Sequence, residues 1–220
     1  VVKKSKADLG IAFDGDGDRI GFVDETGRIV QMDIITAFLS TIILKERPGA
    51  PILFDLRSSD IVRETIEKHG GRPVEFLVGH SLIKLKMRKI NCPFGGEVSG
   101  HYYLREFYYS EAPIYISIVI MNQLRNKGLA ELVAPFQKYY KTPEINFKVS
   151  NPEKKMQELK RKYNSGEIDS TDGLKIRYPD WWFSIRISHT ESLLRLNLEA
   201  KKQDLMQKKL SEIKKIIESN

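Results

Sequence analysis

The chain has 220 residues, which at roughly 100–200 residues per domain makes one large domain or two smaller ones. Hydrophobic residues make up 41% and charged residues 30%, against 15 Gly and 9 Pro, a balance that excludes low-complexity and disordered classes and predicts a soluble globular protein. The net charge of +7, with an isoelectric point near 9.3, fits either a nucleic-acid binder or a binder of anionic small molecules, and its distribution decides between them.

Residues 8–13 read as a short buried strand that runs into the Gly/Asp-rich segment 14–18 and leaves through a second strand at 20–23, before Asp24-Glu25-Thr26-Gly27 turns the chain. From Asp33, read as an N-cap, Ile34, Ile35, Phe38, Leu39, Ile42 and Ile43 recur at helical spacing until Pro48-Gly49. This is the longest apolar stretch, eleven positions over 34–44 interrupted by Thr36, Ser40 and Thr41; a bilayer crossing needs ~20, so a membrane span is excluded. A strand at 52–56, a helix capped by Ser59 or Asp60, and a strand at 74–78 follow. Then come a helix at 82–90, a Gly-rich loop at 92–101 and an apolar helix at 114–126 that stops at Gly128. Strands alternating with helices predict helices packed on a largely parallel sheet.

After Tyr139-Tyr140 the order changes to a strand at 145–149, a helix from Asn151-Pro152, a hairpin over 168–178 around Asp172-Gly173, strands at 182–187 and 193–198, and a last helix. That pattern predicts an antiparallel sheet. The fold class is therefore α/β: a mixed α/β/α layer domain followed by an α+β domain with an antiparallel sheet. The last helix puts Leu205, Leu210, Ile213 and Ile217 on one face and Lys201, Lys202, Lys208, Lys209, Lys214 and Lys215 largely elsewhere. No aromatic or Arg contacts interleave with these lysines, so they read as a solvated exterior and no nucleic-acid partner is expected. No secretory signal opens the chain, and the single Cys92 forms no internal disulfide, which favours a cytoplasmic setting. The start lacks an initiator Met and is expected to be a processed end or a boundary.

Three segments carry chemistry. In Asp14-Gly15-Asp16-Gly17-Asp18-Arg19, three carboxylates at i, i+2 and i+4 repel one another by ~3 kcal/mol per pair, taking ~5 Å and an effective dielectric near 20. A cation must balance them. The intervening glycines let the oxygens converge, and hard oxygen ligands select magnesium or calcium. A solvated acidic turn is the bland alternative. A calcium loop of EF-hand type would place Asp14, Asp16, Asp18 and Glu25 at positions 1, 3, 5 and 12, but Arg19 stands where that loop needs Gly and the flanks read as strands. Few carboxylates from one loop leave coordination positions open, as for a magnesium that also grips a phosphate oxygen. The second segment, Gly95-Gly96-Glu97-Val98-Ser99-Gly100-His101, pairs a carboxylate and a hydroxyl suited to vicinal sugar hydroxyls with an imidazole that could move protons or bind phosphate; an ordinary Gly-rich turn is its alternative. The third, Arg186-Ile187-Ser188-His189-Thr190-Glu191, offers an arginine fork and hydroxyl donors for a phosphate dianion, or else a plain polar hairpin. His80-Ser81 with Lys84, and Arg57 after the strand at 52–56, add donors at strand ends.

In this order and spacing the segments resemble the α-D-phosphohexomutase family, the phosphomannomutase/phosphoglucomutase group in particular, over nearly the whole chain. DGDGDR at 14–19 is similar to the family's metal loop, GHSLIK at 79–84 to its GHS-x-I-K segment, GEVSGH at 96–101 to its sugar-binding loop GEMSGH, and RISHTE at 186–191 to its phosphate loop RxSNTEP. The resemblance implies Mg2+ on Asp14, Asp16 and Asp18, with Arg19 beside the transferring phosphate. It implies sugar hydroxyls on Glu97 and Ser99, the non-reacting phosphate on Arg186, Ser188 and Thr190 with His189 in the same loop, and Arg57, His80, Lys84 and His101 lining the cleft. Arg19 and His101 take the catalytic roles, His101 as a proton-transfer group. The implied reaction interconverts hexose 1-phosphate and hexose 6-phosphate, of mannose or glucose, through a bisphosphate intermediate and a phosphoserine. Val98 stands where glucosamine-type members tend to carry Gln.

Two departures bear on activity. The family's serine segment, of the TASHNP kind, precedes the metal loop, and no such segment occurs in these 220 residues. His189 and Ser192 also replace the loop's Asn and Pro. On this reading residues 1–28 are the remnant of a second domain with the metal loop, 29–140 a third domain with the sugar loop, and 141–220 a fourth with the phosphate loop. Turnover is then expected only with the N-terminal domains supplied in cis or in trans. The competing class is a noncatalytic phosphosugar-binding or partner-binding protein.

Overall fold

The computed structural model describes residues 1–188 and 193–219. It divides into two compact units, Val1–Gln137 and Lys138–Asn220. Among the described residues no helix is long and apolar enough to cross a membrane.

The first unit opens with one helical turn, α1 (Val2–Ser5), and a three-stranded antiparallel meander of β1 (Gly10–Phe13), β2 (Ile20–Val23) and β3 (Ile29–Val30). Phe13 and Ile20 are the last register pair of β1 and β2, so residues 14–19 form the whole loop between them. The turn read at 24–27 forms as expected: the Asp24 carboxylate accepts from the amides of Thr26 and Arg28, and Gly27 takes φ +80°. There follow α2 (Met32–Glu46), β4 (Pro51–Asp55), α3 (Asp60–Lys68), β5 (Arg72–Phe76), α4 (His80–Lys89), β6 (Phe94–Gly96), β7 (Tyr102–Leu104), β8 (Ser110–Glu111), α5 (Pro113–Gln123) and α6 (Leu129–Val133).

The five-stranded sheet has the order β5-β4-β6-β7-β8. Only β5, β4 and β6 are parallel; β7 and β8 run antiparallel, which corrects the expectation of a largely parallel sheet. The cause is the length of the connection: five residues between β6 and β7 allow a hairpin but not the crossover that parallel strands need.

Other local expectations shift for identifiable reasons. Asp33 is not the N-cap of α2; Gln31 is, and Asp33 lies buried in the first turn, accepting from the amides of Ile34 and Ser59 at 3.0 Å each. Ser59 caps α3 as read, its hydroxyl accepting from Ile61 N. Helix α4 begins at His80, two residues early, because Gly79 at φ +133° turns the chain directly into it. The segment at 92–101 is not all loop, since Phe94-Gly95-Gly96 pairs with β4. Those glycines are required by proximity: a Cβ on Gly95 would sit 2.9 Å from Met87 Sδ, and one on Gly96 would overlap the Thr36 hydroxyl of α2.

In the second unit, β10 (Ile145–Lys148), β14 (Leu193–Ala200), β13 (Trp181–Ile187), β12 (Leu174–Tyr178) and β11 (Glu167–Asp169) form an antiparallel sheet in that order, with β9 (Tyr140–Lys141) also on β14. Helices α7 (Pro152–Lys162) and α8 (Gln203–Glu218) pack together on one face. The Asn-Pro start of α7 behaves as expected, with Asn151 Oδ1 accepting from Lys154 N at 2.9 Å and Pro152 in the first turn. Alternation along the strands sends Leu174, Ile176, Phe183, Ile185, Leu194, Leu196 and Leu198 into a core closed by Leu159, Ile213 and Ile217. The opposite face carries Lys175, Trp182, Ser184, Arg186, Arg195, Asn197 and Glu199 by the same period of two. Lys201, Lys202, Lys208 and Lys215 are exposed as read, but Lys209 departs from that reading: its Nζ lies 5.1 Å from the ring centroid of the core residue Trp181 and pairs with Glu212 at 2.8 Å.

Gly96→Ala is expected to lower stability by about 1–3 kcal/mol, because the added methyl displaces α2 from β6. A shift of the urea midpoint at unchanged m-value measures this, and an unchanged midpoint would refute the close-packing account.

Candidate functional site

The acidic loop between β1 and β2 is organised by its first residue. Asp14 Oδ1 accepts from Gly17 N at 3.1 Å and Arg19 N at 3.2 Å, and its Oδ2 accepts from Arg19 Nε at 2.6 Å. Gly17 at φ +76° permits the reversal. Desolvation pushes the Asp14 carboxyl up, but Arg19's hydrogen bonds and charge, with a contribution from Asp16, together outweigh it and bring it down to about 2. One ligand oxygen from each of Asp14, Asp16 and Asp18 falls within 4.8 Å of the others. Three hard, anionic oxygens converging from one loop, with no nitrogen or sulfur donor, suit Mg2+ or Ca2+ and leave positions for outside ligands.

This loop is joined to the Gly-rich segment after β6. Ile20, the first residue of β2, donates its amide to Gly100 O at 3.1 Å. Gly100 has φ +93°, and a Cβ there would lie 2.7 Å from Ile20 O, so a side chain is excluded on both conformational and steric grounds. The junction sets His101 beside the acidic loop, with Nε2 3.4 Å from Asp18 Oδ2. Its Nδ1 is 2.8 Å from Ser99 Oγ and 3.4 Å from Glu97 Oε1.

Behind His101 lies a buried charge network. Glu97 is only 2% exposed; its Oε1 accepts from Tyr103 OH at 2.5 Å, and its Oε2 lies 3.9 Å from Arg57 Nη2. Arg57 Nη2 donates to Asp55 Oδ2 at 2.9 Å, and the same oxygen accepts from Val98 N at 2.8 Å. Asp55, the last residue of β4, thus orients Arg57 and ties down the backbone of the Gly-rich segment at Val98 together. Burial pushes its carboxyl up, but Arg57 and the amides of Val98 and Arg57 hold it below the usual carboxylate range. The Tyr103 phenol is raised by burial and by Glu97, so it remains a donor. At the edge of the sheet Lys84 Nζ donates to Glu111 Oε2 at 2.7 Å, and His80 Nδ1 lies 4.0 Å from Glu111 Oε1. Burial pushes the Glu111 carboxyl up, and Lys84 more than reverses it.

Asp14, Asp16, Asp18, Arg19, Arg57, Glu97, Ser99 and His101 are therefore linked through these contacts in the first unit, which also holds His80 and Lys84 in a separate group around Glu111. Sequence reasoning missed Asp55, Tyr103 and Glu111, the partners that orient Arg57, Glu97 and Lys84. The one available signal was that Asp55 closes an apolar strand two residues before Arg57.

The second unit carries the other candidates. Arg186 lies on β13 and Ser188 just beyond it, with Ser188 N donating to Leu193 O at 2.9 Å. His189 and Thr190 lie outside the described residues. Arg186 stands directly opposite Arg195 of β14, and Arg195 Nη2 donates to Ser188 Oγ at 3.4 Å. Arg195, absent from the sequence candidates, joins the site through this register; its position on the polar face of its strand was the signal. Arg186 Nη1 is 3.6 Å from Asp172 Oδ2, and Arg195 Nη1 is 3.8 Å from Glu144 Oε1.

The first unit thus combines a convergent carboxylate loop with a Gly-rich segment bonded to it, and the antiparallel sheet of the second unit carries an arginine pair. Residues 31–139 match the family model for phosphoglucomutase/phosphomannomutase alpha/beta/alpha domain III, and residues 144–216 match that for the C-terminal domain. The chain belongs to the phosphoglucomutase/phosphomannomutase family. It is 44% identical over 218 residues to a phosphomannomutase of Methanocaldococcus jannaschii, covering 98% of this chain and 49% of that protein. It is 35% identical to a phosphomannomutase of Escherichia coli K12, over 91% of this chain and 45% of that protein. A phosphoglucomutase/phosphomannomutase family protein of Burkholderia thailandensis superposes with a TM-score of 0.86 at 28% identity, over 98% of this chain and 47% of that one. N-acetylphosphoglucosamine mutase of Aspergillus fumigatus, solved with GlcNAc-6P and magnesium, shares the fold with a TM-score of 0.68 at 14% identity, over 95% of this chain and 52% of that one. The chain thus spans about half the length of the curated relatives it matches.

Because the folded-state pKa values of Asp55 and Glu111 are depressed, their stabilisation is present above the unfolded carboxylate values near 4 and is lost as pH falls through the folded ones. Asp55→Asn is expected to cost about 3–5 kcal/mol at pH 7 by leaving Arg57 without its buried counter-charge, and to flatten the acid limb of the stability profile. Chemical unfolding at pH 7 and between pH 5 and pH 2 measures both. Equal acid sensitivity in wild type and variant would refute the assignment.

Proposed function

We propose that the chain supplies the metal-binding, sugar-binding and phosphate-binding parts of a phosphomannomutase/phosphoglucomutase that moves phosphate reversibly between the 1- and 6-hydroxyls of mannose or glucose. A phosphoserine on a preceding domain donates its phosphoryl group to the free hydroxyl of the hexose phosphate, and the resulting bisphosphate reorients and returns its other phosphate to the serine. Residues 1–28 would then be the end of that preceding part, 29–140 a third domain and 141–220 a fourth. The supporting observation is the Ile20–Gly100 junction, which brings the carboxylate loop and His101 to within 3.4 Å of each other. Relatives carrying the name phosphomannomutase align over nearly the whole chain.

Phosphoryl transfer is catalysed mainly by positioning and charge neutralisation, and the residues divide that work. Asp14, Asp16 and Asp18 would hold Mg2+, as their all-oxygen donor set allows, and bound Mg2+ supplies charge neutralisation at the phosphoryl oxygens. Arg19, held by Asp14, presents its remaining guanidinium N–H groups to the transferring phosphate. His101 moves the hydroxyl proton, with Ser99 at Nδ1 and Asp18 near Nε2. Glu97 and Ser99 accept sugar hydroxyls, Tyr103 fixing the Glu97 carboxylate for this. Arg57, His80 and Lys84 line the same cleft. Arg186, Ser188 and Thr190, with His189 in their loop, hold the phosphate that is not reacting, and Arg195 completes that clamp. The setting is cytoplasmic on this reading, in keeping with the buried thiol of Cys92, which burial pushes up to about 11.

Two measurements test the proposal. In the first, Mn2+ titration followed by electron paramagnetic resonance is expected to show one site, weakened about tenfold or more by Asp16→Ala or Asp18→Ala; unchanged binding would remove the metal role. In the second, the chain alone is expected to show no mutase turnover with mannose or glucose 1-phosphate, Mg2+ and the matching hexose bisphosphate. Adding the N-terminal half of the M. jannaschii relative, fused or in trans, should produce turnover that His101→Ala reduces about 100-fold or more. Turnover by the chain alone would overturn the need for an external phosphoserine, and no turnover in the fusion despite hexose phosphate binding would favour a noncatalytic phosphosugar-binding protein.

A further inference from the structure

We propose that Asp172 and Glu144 are resident competitors of phosphate on the pair Arg186 and Arg195, and that they set how tightly this clamp holds its ligand. The proposal rests on the reading of the pair as a phosphate clamp.

Arg186 and Arg195 are direct cross-strand partners on β13 and β14. Like charges in that position destabilise a sheet unless anions offset them. The offsetting anions come from the two strands that flank the pair. In the order β10-β14-β13-β12, Glu144 immediately precedes β10 and approaches Arg195 from one side, while Asp172 immediately precedes the Gly173 that leads into β12 and approaches Arg186 from the other. Gly173 makes the second approach possible: it has φ +81°, and a side chain there would overlap Ile185 O and crowd Arg186 Cα at 3.1 Å.

Neither pair is closed. Separations of 3.6 Å and 3.8 Å exceed the ~2.7–2.9 Å of a charge-assisted hydrogen bond. Among the described residues Arg195 Nε is buried without a hydrogen-bond partner, a donor state that costs free energy until an acceptor arrives. Ser188 Oγ, already touched by Arg195, adds a hydroxyl at the same point. The site thus holds two guanidinium groups, a hydroxyl and an unfilled donor, with two carboxylates close enough to neutralise the charge but too far to satisfy the hydrogen bonds. A phosphate dianion meets both needs and has to displace the carboxylates from the arginines to do so. Replacing either carboxylate by its amide removes the competing charge and leaves the arginines in place. If the carboxylates served only to aim the arginines, the same change would weaken binding.

The test is calorimetric titration of the 220-residue chain with inorganic phosphate and glucose 6-phosphate, with sulfate as an anion whose charge is constant near neutral pH. Asp172→Asn and Glu144→Gln are each expected to tighten binding about three- to tenfold at low ionic strength, with the gain shrinking as salt is added. Arg186→Ala and Arg195→Ala are expected to weaken it about tenfold or more, and in wild type the Arg195 Nε–H resonance should shift on saturation. Weaker or unchanged binding in both amide variants, with binding lost in the arginine variants, overturns the competitor role and leaves the clamp standing. Undiminished binding in both arginine variants overturns the clamp and this proposal with it. The two amide variants lie on opposite sides of the pair, so if one fails to fold, as thermal melts would reveal, the other decides.

Discussion

The site of the first unit depends on one close approach, where β2 and the Gly-rich segment meet at Ile20 and Gly100. The backbone bond there brings together a loop that must hold three like charges and a segment that must present a carboxylate, a hydroxyl and an imidazole. Everything nearby is built to tolerate that proximity. Gly100 removes the side chain that would collide with Ile20 O, Gly95 and Gly96 let β6 settle against Met87 and Thr36, and Asp55 fixes the segment from beneath through Val98 N. A site assembled in this way gains its precision from backbone contacts, whose geometry fluctuates less than that of long side chains.

A second theme is that cations in the candidate sites already have carboxylates beside them: Arg19 with Asp14, Arg57 with Asp55, Lys84 with Glu111, Arg186 with Asp172 and Arg195 with Glu144. The pairs differ in character. Asp55 is buried and Arg57 mostly covered, and the two are closely hydrogen-bonded, a structural unit whose separation would leave an uncompensated charge. The pairs of the second unit are longer and partly solvated, which makes them exchangeable. The distinction separates residues that build a site from those that tune it, and neither sequence spacing nor residue type expresses it.

What could be read from the sequence was local. The DGDGDR loop, the GEVSGH segment and the Ser59 and Asn151 caps declare themselves within a few residues, because their chemistry is set by neighbours in the chain. The strands read at 182–187 and 193–198 likewise match β13 and β14 to within two residues, and the hairpin read over 168–178 matches the paired β11 and β12. Strand β6 escaped detection because Phe94-Gly95-Gly96 has no alternation and is held by its neighbours on β4, α2 and α4 instead of by propensity. Asp33 looked like a cap and is instead a buried acceptor for Ser59, 26 residues away. Tyr103 and Glu111 were invisible as site residues for the same reason: their significance lies in a partner brought close by the fold, and a single sequence carries no record of that pairing.

The five-stranded sheet ends on one side at β8, only two residues long, and on the other at β5, which contains Pro73. Open strand edges invite pairing with other chains, and short length, charge and proline are the usual deterrents. Glu111 is half of that short edge strand, so the carboxylate that steadies Lys84 also places a charge where another molecule's strand would dock. The tasks of pairing Lys84 and of guarding the sheet edge thus fall on the same residue, and a change made for one purpose would be felt in the other.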